Sequence, residues 1–149
     1  MIDKGQLKKH CLELVGQRLH DLKDQIAALQ KSKSEDTKSS MGDKYETSRE
    51  MVNQEMNKLD QQWEQWQSYQ AALERCNTDR DMDQADTSAL VGTSIGNFWI
   101  ITPLGQIQLE GEMIFVISPL APLAKAFSGK KAKEELMFNG RSIVIKQIN

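Results

Sequence analysis

Two carboxylates in the middle of the chain have the types and spacing for chemistry. Asp43 and Glu46 stand three residues apart in Gly42-Asp-Lys-Tyr-Glu46, directly after a polar Ser- and Lys-rich run. Asp-x-x-Glu at the start of a helix matches a capping box, with Asp43 accepting from the Glu46 amide and Glu46 reaching back. Acidic groups in a first turn also suit the helix dipole. If Ser39 or Ser40 is the cap instead, both acids are helical at i and i+3 and share one face. Side by side, they could then share a divalent cation. Magnesium fits, because it is commonly held by one or two carboxylates with the remaining positions supplied from elsewhere. Two ligands alone bind it weakly, so no stably bound cofactor is expected and a partner must complete the site. Spacing leaves both readings open.

Little else in the chain is equipped for catalysis. His10 and His20 lie ten residues apart, about 15 Å along a helix, and cannot form a metal pair. Cys11 and Cys76 make no metal-type spacing. Asp79, Asp81 and Asp83 resemble the start of a calcium loop, but that loop needs Gly and Glu where the chain has Gln84 and Leu90. No serine-nucleophile elbow, Walker loop or dinucleotide fingerprint is expected. Gly129-Lys-Lys-Ala-Lys-Glu-Glu135 reads as a solvated charged turn.

Charge is unevenly distributed. Residues 1–86 carry 13 Lys and Arg against 17 Asp and Glu, whereas residues 87–149 carry 6 against 4. The overall balance of −2 is unlike the basic excess of a nonspecific nucleic-acid binder, so strong binding to free nucleic acid is not expected. No apolar run is long enough to span a bilayer and no signal-peptide pattern opens the chain, so a cytoplasmic location without a membrane partner is expected. A protein partner fits best.

The elements that must position the two acids follow from periodicity. Leu12, Val15, Leu19, Leu22, Ile26 and Leu29 keep a 3-4 spacing, and a second stripe runs through Tyr45, Val52, Met56, Leu59, Trp63, Trp66 and Leu73, with Arg49 and Gln70 as polar members of the same register. Neither stripe can be buried alone, and an antiparallel hairpin with core-facing Trp63 and Trp66 buries both. A turn centred near Thr37 or Lys38 places Cys11 and Cys76 about 15 Å apart along the axis, too far for a disulfide. After a solvated acidic linker at 77–87, the period becomes strand-like in Ser94–Thr102, Gln106–Glu110 and Glu112–Ser118. Leu120, Leu123, Ala124 and Phe127 then predict a short helix stopped by Gly129. Asn139-Gly140 predicts a type I′ hairpin. The expected class is α+β, with a coiled-coil hairpin over 1–76 (its acidic tip near 42–46) and a small antiparallel sheet with one helix over 88–149.

Two stretches carry a family resemblance. Gly42–Glu46 resembles the tip motif of the bacterial Gre transcript-cleavage factors, a Gly-Asp followed two residues later by Glu-Asn. Ile117–Phe138 resembles their C-terminal stretch, where Ser-Pro leads into a short helix and then Gly-Lys. The order of parts is similar too, a helical hairpin followed by a β-rich domain likened to the FKBP fold. The resemblance implies a transcription elongation factor that is not itself an enzyme. Its C-terminal domain would dock at the rim of the RNA polymerase secondary channel, through Ser118, Pro119, Gly129 and Lys130. Its coiled coil would bring Asp43 and Glu46 to the active centre and the nascent RNA 3′ end. There the two carboxylates would share Mg2+ with the polymerase, which cleaves its own backtracked RNA. At the family's tip asparagine this chain has Thr47, and its aromatic residue, Tyr45, stands between the acids. The competing readings are a channel binder that modulates the polymerase without cleavage, and a coiled-coil adaptor unrelated to transcription.

Overall fold

A computed structural model describes residues 2–36 and 42–149; the side chains of Asp36 and of residues 42–45 lie outside that description. Two long helices open the chain, α1 (Lys4–Asp36) and α2 (Gly42–Arg75). Asp3 caps α1, its Oδ1 accepting from the amides of Gly5 at 2.6 Å and Gln6 at 3.4 Å, which satisfies donors that the helix cannot. Six strands follow: β1 (Leu90–Thr93), β2 (Gly96–Ile100), β3 (Gly105–Leu109), β4 (Glu112–Ile117), then β5 (Glu135–Phe138) and β6 (Arg141–Ile148), with α3 (Pro122–Phe127) between β4 and β5. The class is α+β, as the periodicity predicts. The chain divides into two compact units, Met1–Glu13 with Ala71–Asn149, and Leu14–Gln70.

In the Leu14–Gln70 unit the helices run antiparallel. Arg18 Nη2 donates to Gln62 Oε1 at 3.3 Å, and its guanidinium lies over the Trp66 ring, 5.9 Å from the centroid. Val15, Leu19, Leu22 and Leu59 are buried here, while Ile26, Leu29, Val52, Met56 and both tryptophans are half-buried. Trp66 also lies edge-on to Tyr69, with centroids 5.2 Å apart.

In the other unit Lys8 Nζ donates to the carbonyls of Glu74 at 3.3 Å and Cys76 at 2.9 Å. Within this unit facing residues therefore have numbers totalling about 82 to 84. Cys11 and Cys76 consequently lie about one helical turn apart along the axis, not the 15 Å expected. Both are nevertheless free thiols, and both are buried.

The sheet order is β3-β4-β2-β1-β6-β5. It is not antiparallel throughout, because β2 and β4 pair in parallel, from Asn97↔Ile114 to Ile100↔Ile117. The reason lies in the strands' composition. β3 has one buried side chain, Ile107, whereas β4 buries Ile114 and Val116. The more apolar strand takes the interior position and the polar one the edge. The link at 101–104 steps over the place taken by β4, about 10 Å, which four extended residues can span. Two-residue turns with both φ values positive close β3–β4 at Glu110-Gly111 and β5–β6 at Asn139-Gly140. Asn139-Gly140 is the predicted turn.

One face of the sheet presents Val91, Phe98, Ile100, Leu136, Ile143 and Ile145, packed with Ala85, Ala89, Ala124 and Phe127. Alternation sends Leu90, Trp99, Ile107, Ile114 and Val116 to the opposite face, where they are also buried. Trp99 Nε1 is satisfied by the Ser88 carbonyl at 3.2 Å. In the same unit the helix ends bury Leu7, Cys11 and Leu73, and the flanking Ile2 and Cys76 are buried too. Lys4, itself buried, donates to the Asn149 carbonyl at 3.1 Å.

Candidate functional site

Asp43 and Glu46 fall inside α2 as its second and fifth residues. Glu46 is exposed. The Asp43 side chain lies outside the described ones, and so do Ser39 and Ser40, the alternative caps. The antiparallel register of α1 and α2 puts this first turn of α2 at the turn end of the helical pair. The donors are hard carboxylate oxygens, the type magnesium prefers, but two of them fill only a third of an octahedron. Among the described residues no cluster of three or more His, Cys, Asp or Glu could hold a metal alone.

The other predicted residues gather around α3. Ser118 and Pro119 are half-buried and lead into it. The Ser118 hydroxyl is occupied locally, accepting the Leu120 amide at 3.1 Å, while the Ser118 carbonyl accepts the Ala121 amide at 3.0 Å. This tight turn directs Leu120 outward, where it is 77% exposed. Leu120 was expected on the apolar stripe of the helix. It precedes the helix instead, and only Ala124 and Phe127 are buried. Gly129, with φ of 77°, follows the helix end. Its amide donates to the Ala85 carbonyl at 2.8 Å, and the Ala85 amide donates to the Lys130 carbonyl at 2.7 Å. Gly129 and Lys130 thereby fasten the end of α3 to the 77–87 segment. That segment exposes Asp79, Asp81, Asp83 and Asp86 to solvent, as a linker would, yet it buries Ala85 completely and seats Met82 on the core.

The 129–135 turn is likewise more than a solvated loop. The Lys131 amide donates to Glu134 Oε2 at 2.8 Å, and the Lys133 amide to the Ile145 carbonyl at 2.7 Å.

The expected absence of a serine-nucleophile motif needs correction, because the pattern is present in the sequence, and geometry resolves what it does. Gly92-Thr-Ser-Ile-Gly96 spells G-x-S-x-G, the pattern of a nucleophilic serine on a strand-to-helix elbow. Here it forms the β1–β2 hairpin turn, with Thr93 paired to Gly96. Ser94 Oγ accepts the Val144 amide at 3.0 Å, and the Ser94 amide donates to the Val144 carbonyl at 2.9 Å. The serine is a sheet fastener.

No protein-family model matches the chain, and no curated protein matches it. Among solved structures it is similar to that of the transcription factor Gfh1, with 16% identity over 92% of each chain and a TM-score of 0.36. A likeness at that score establishes neither a shared family nor a shared activity. No helix among the described residues is long and apolar enough to cross a membrane.

Proposed function

We propose that the chain is a Gre-like transcription elongation factor, a protein that docks on RNA polymerase and lends Asp43 and Glu46 to the polymerase's own cleavage of backtracked RNA. One observation carries the reading: two acids three residues apart open α2 at the turn end of an antiparallel helical pair, and the same chain holds a Ser118-Pro119 turn leading into a short helix of a β-rich unit. Residues three apart on a helix share a face, and Glu46 is open to solvent. Magnesium held jointly with the polymerase would supply the charge that activates water and stabilises the leaving oxygen. The chain's own contribution is two carboxylate ligands and the rigid helices that carry them.

The test is transcript cleavage by purified RNA polymerase in stalled, backtracked complexes. Wild-type chain should accelerate it. Asp43→Asn and Glu46→Gln should each remove most of the stimulation while leaving affinity for polymerase unchanged. Full stimulation by both variants would refute the assignment.

A second reading, docking without cleavage, is favoured by the charge around the acids. Residues 31–50 hold five Lys and Arg against five Asp and Glu, so the region has no net negative field. Under that reading the wild-type chain binds polymerase and leaves the cleavage rate unchanged or lower.

A further inference from the structure

β3 ends the sheet, with β4 on one side and no strand on the other. Its hairpin fixes which of its backbone groups face outward. Glu110-Gly111 is a two-residue turn with both φ values positive, so Leu109 and Glu112 form its closing hydrogen-bonded pair. Bonded and non-bonded pairs alternate along an antiparallel ladder, and Ile107↔Ile114 and Gly105↔Val116 are therefore bonded as well. The N–H and C=O of Gln106 and Gln108 point away from β4, along the open edge. No backbone group of a turn or loop among the described residues bonds to them.

Sheet edges are normally blunted by charge, proline or brevity, and the two edges here differ. β5 is four residues long, opens on Glu135 and follows Lys133 and Glu134. β3 is Gly-Gln-Ile-Gln-Leu, with neither charge nor proline. It is also self-complementary. Laid antiparallel on a second copy about a two-fold axis at Ile107, each Gln106 faces a Gln108, and every outward N–H and C=O finds a partner. The facing glutamines can also exchange side-chain hydrogen bonds. Gln106 Nε2 donates to Met113 Sδ within the chain, a weak acceptor that a carbonyl oxygen betters. On the other face Leu109 meets Gly105 of the second copy, where the space a side chain would fill is open. Glu110 and Glu112, the charges at the hairpin end, would each stand about 20 Å from their counterparts, more than two screening lengths.

We propose that β3 is a dimerisation edge, on which two copies of this chain pair strand to strand through Gln106 and Gln108 and join their six-stranded sheets into one. The contact is small. Five residues at about 3.4 Å each make a seam about 17 Å long and one strand wide, which buries less area than a standard interface. The dimer is therefore weak and forms at high concentration, with a dissociation constant on the order of 0.1 mM. It requires no polymerase, so its test is independent of the proposed function.

Sedimentation equilibrium of the full-length chain, over about 0.01 to 1 mM to bracket that constant, measures the association, and backbone amide exchange by NMR locates it. Mass should rise from monomer toward dimer across the range. The Gln106 and Gln108 amides should gain protection with concentration, whereas the Ile107 amide, bonded to β4, should be protected throughout. Gln106→Lys with Gln108→Lys should hold the chain monomeric, and so should Gln106→Glu with Gln108→Glu, because each sets like charges opposite one another. Mixing these two variants should restore association, at least about tenfold tighter than either alone. Gln108→Pro removes an outward N–H that the monomer leaves unused and should also block pairing. Both glutamines are exposed, and unchanged thermal unfolding of the charge variants would show that the fold is intact. A wild-type chain still monomeric at the top of the range would overturn the dimerisation edge. So would a dimer that the charge variants leave unaltered, since it would use another surface.

Discussion

Phe127→Ala tests how the α3 end of the β-rich unit is held. α3 has six residues, far fewer than the dozen or more that an isolated helix needs to be even marginally stable. Its stability must come from tertiary contacts, and Phe127 supplies the largest. The ring is fully buried, lies 5.5 Å from that of Phe98, and Phe98 in turn stacks on Phe115 at 5.3 Å. Truncation removes about 150 Å2 of buried apolar area, which at about 25 cal/mol per Å2 is about 4 kcal/mol. That agrees with the roughly 3–5 kcal/mol typical of buried Phe→Ala changes. The assay is equilibrium urea unfolding in a Trp63→Phe, Trp66→Phe background, which leaves buried Trp99 as the reporter for this unit. With a slope of about 2 kcal/mol per molar, the midpoint should fall by about 2 M. Phe98→Leu combined with Phe127→Ala should show a coupling of about 0.5–1.5 kcal/mol. A loss below about 1 kcal/mol, far under the usual Phe→Ala cost, would refute the idea that Phe127 anchors α3.

Two further predictions concern the helices. Burial pushes the Cys11 thiol up to about 12 from an ordinary 9.0, so the folded chain keeps this proton where the unfolded chain releases it. Stability from this group is therefore fully present below about pH 9 and is lost as pH rises toward 12. Cys11→Ala should flatten the decline of unfolding free energy between pH 9 and 11; equal slopes in the two proteins would exclude Cys11 as its source. Arg18→Ala removes both the hydrogen bond to Gln62 and the cation over Trp66. It should cost about 1–2 kcal/mol and shift Trp66 emission, measured in a Trp63→Phe, Trp99→Phe background. No change in either quantity would show that solvent already screens the pair.

Much of the architecture was legible because its signals are local. The 3-4 spacing of Val15, Leu19 and Leu22 is visible within three turns, and those residues are buried. Asn139-Gly140 carries its own turn type, since both positions must accept positive φ. Local spacing singled out Asp43 and Glu46 as a pair beside a break in periodicity, but it left capping and metal sharing both open, and the tip role came only with the family resemblance. What escaped depended on distant partners. The 15 Å separation of the cysteines failed because the hairpin register is set by contacts such as Lys8 with Cys76, not by the centre of the polar run. Leu120 matched the stripe of α3 equally well on paper, but the Ser118 turn starts the helix after it.

By itself, then, the sequence determined the period of each segment, the turns that need glycine, and which side chains seek burial. Those are properties of a few adjacent residues and the pleat or helix they occupy. Only the tertiary structure decided that β4 slips between β3 and β2, that both sheet faces are covered, and that β3 keeps an open edge. A strand's pattern states which of its faces is apolar but not which strand will lie beside it. That choice is made by competition among strands for the buried interior, and here the more apolar β4 displaced β3 to the edge.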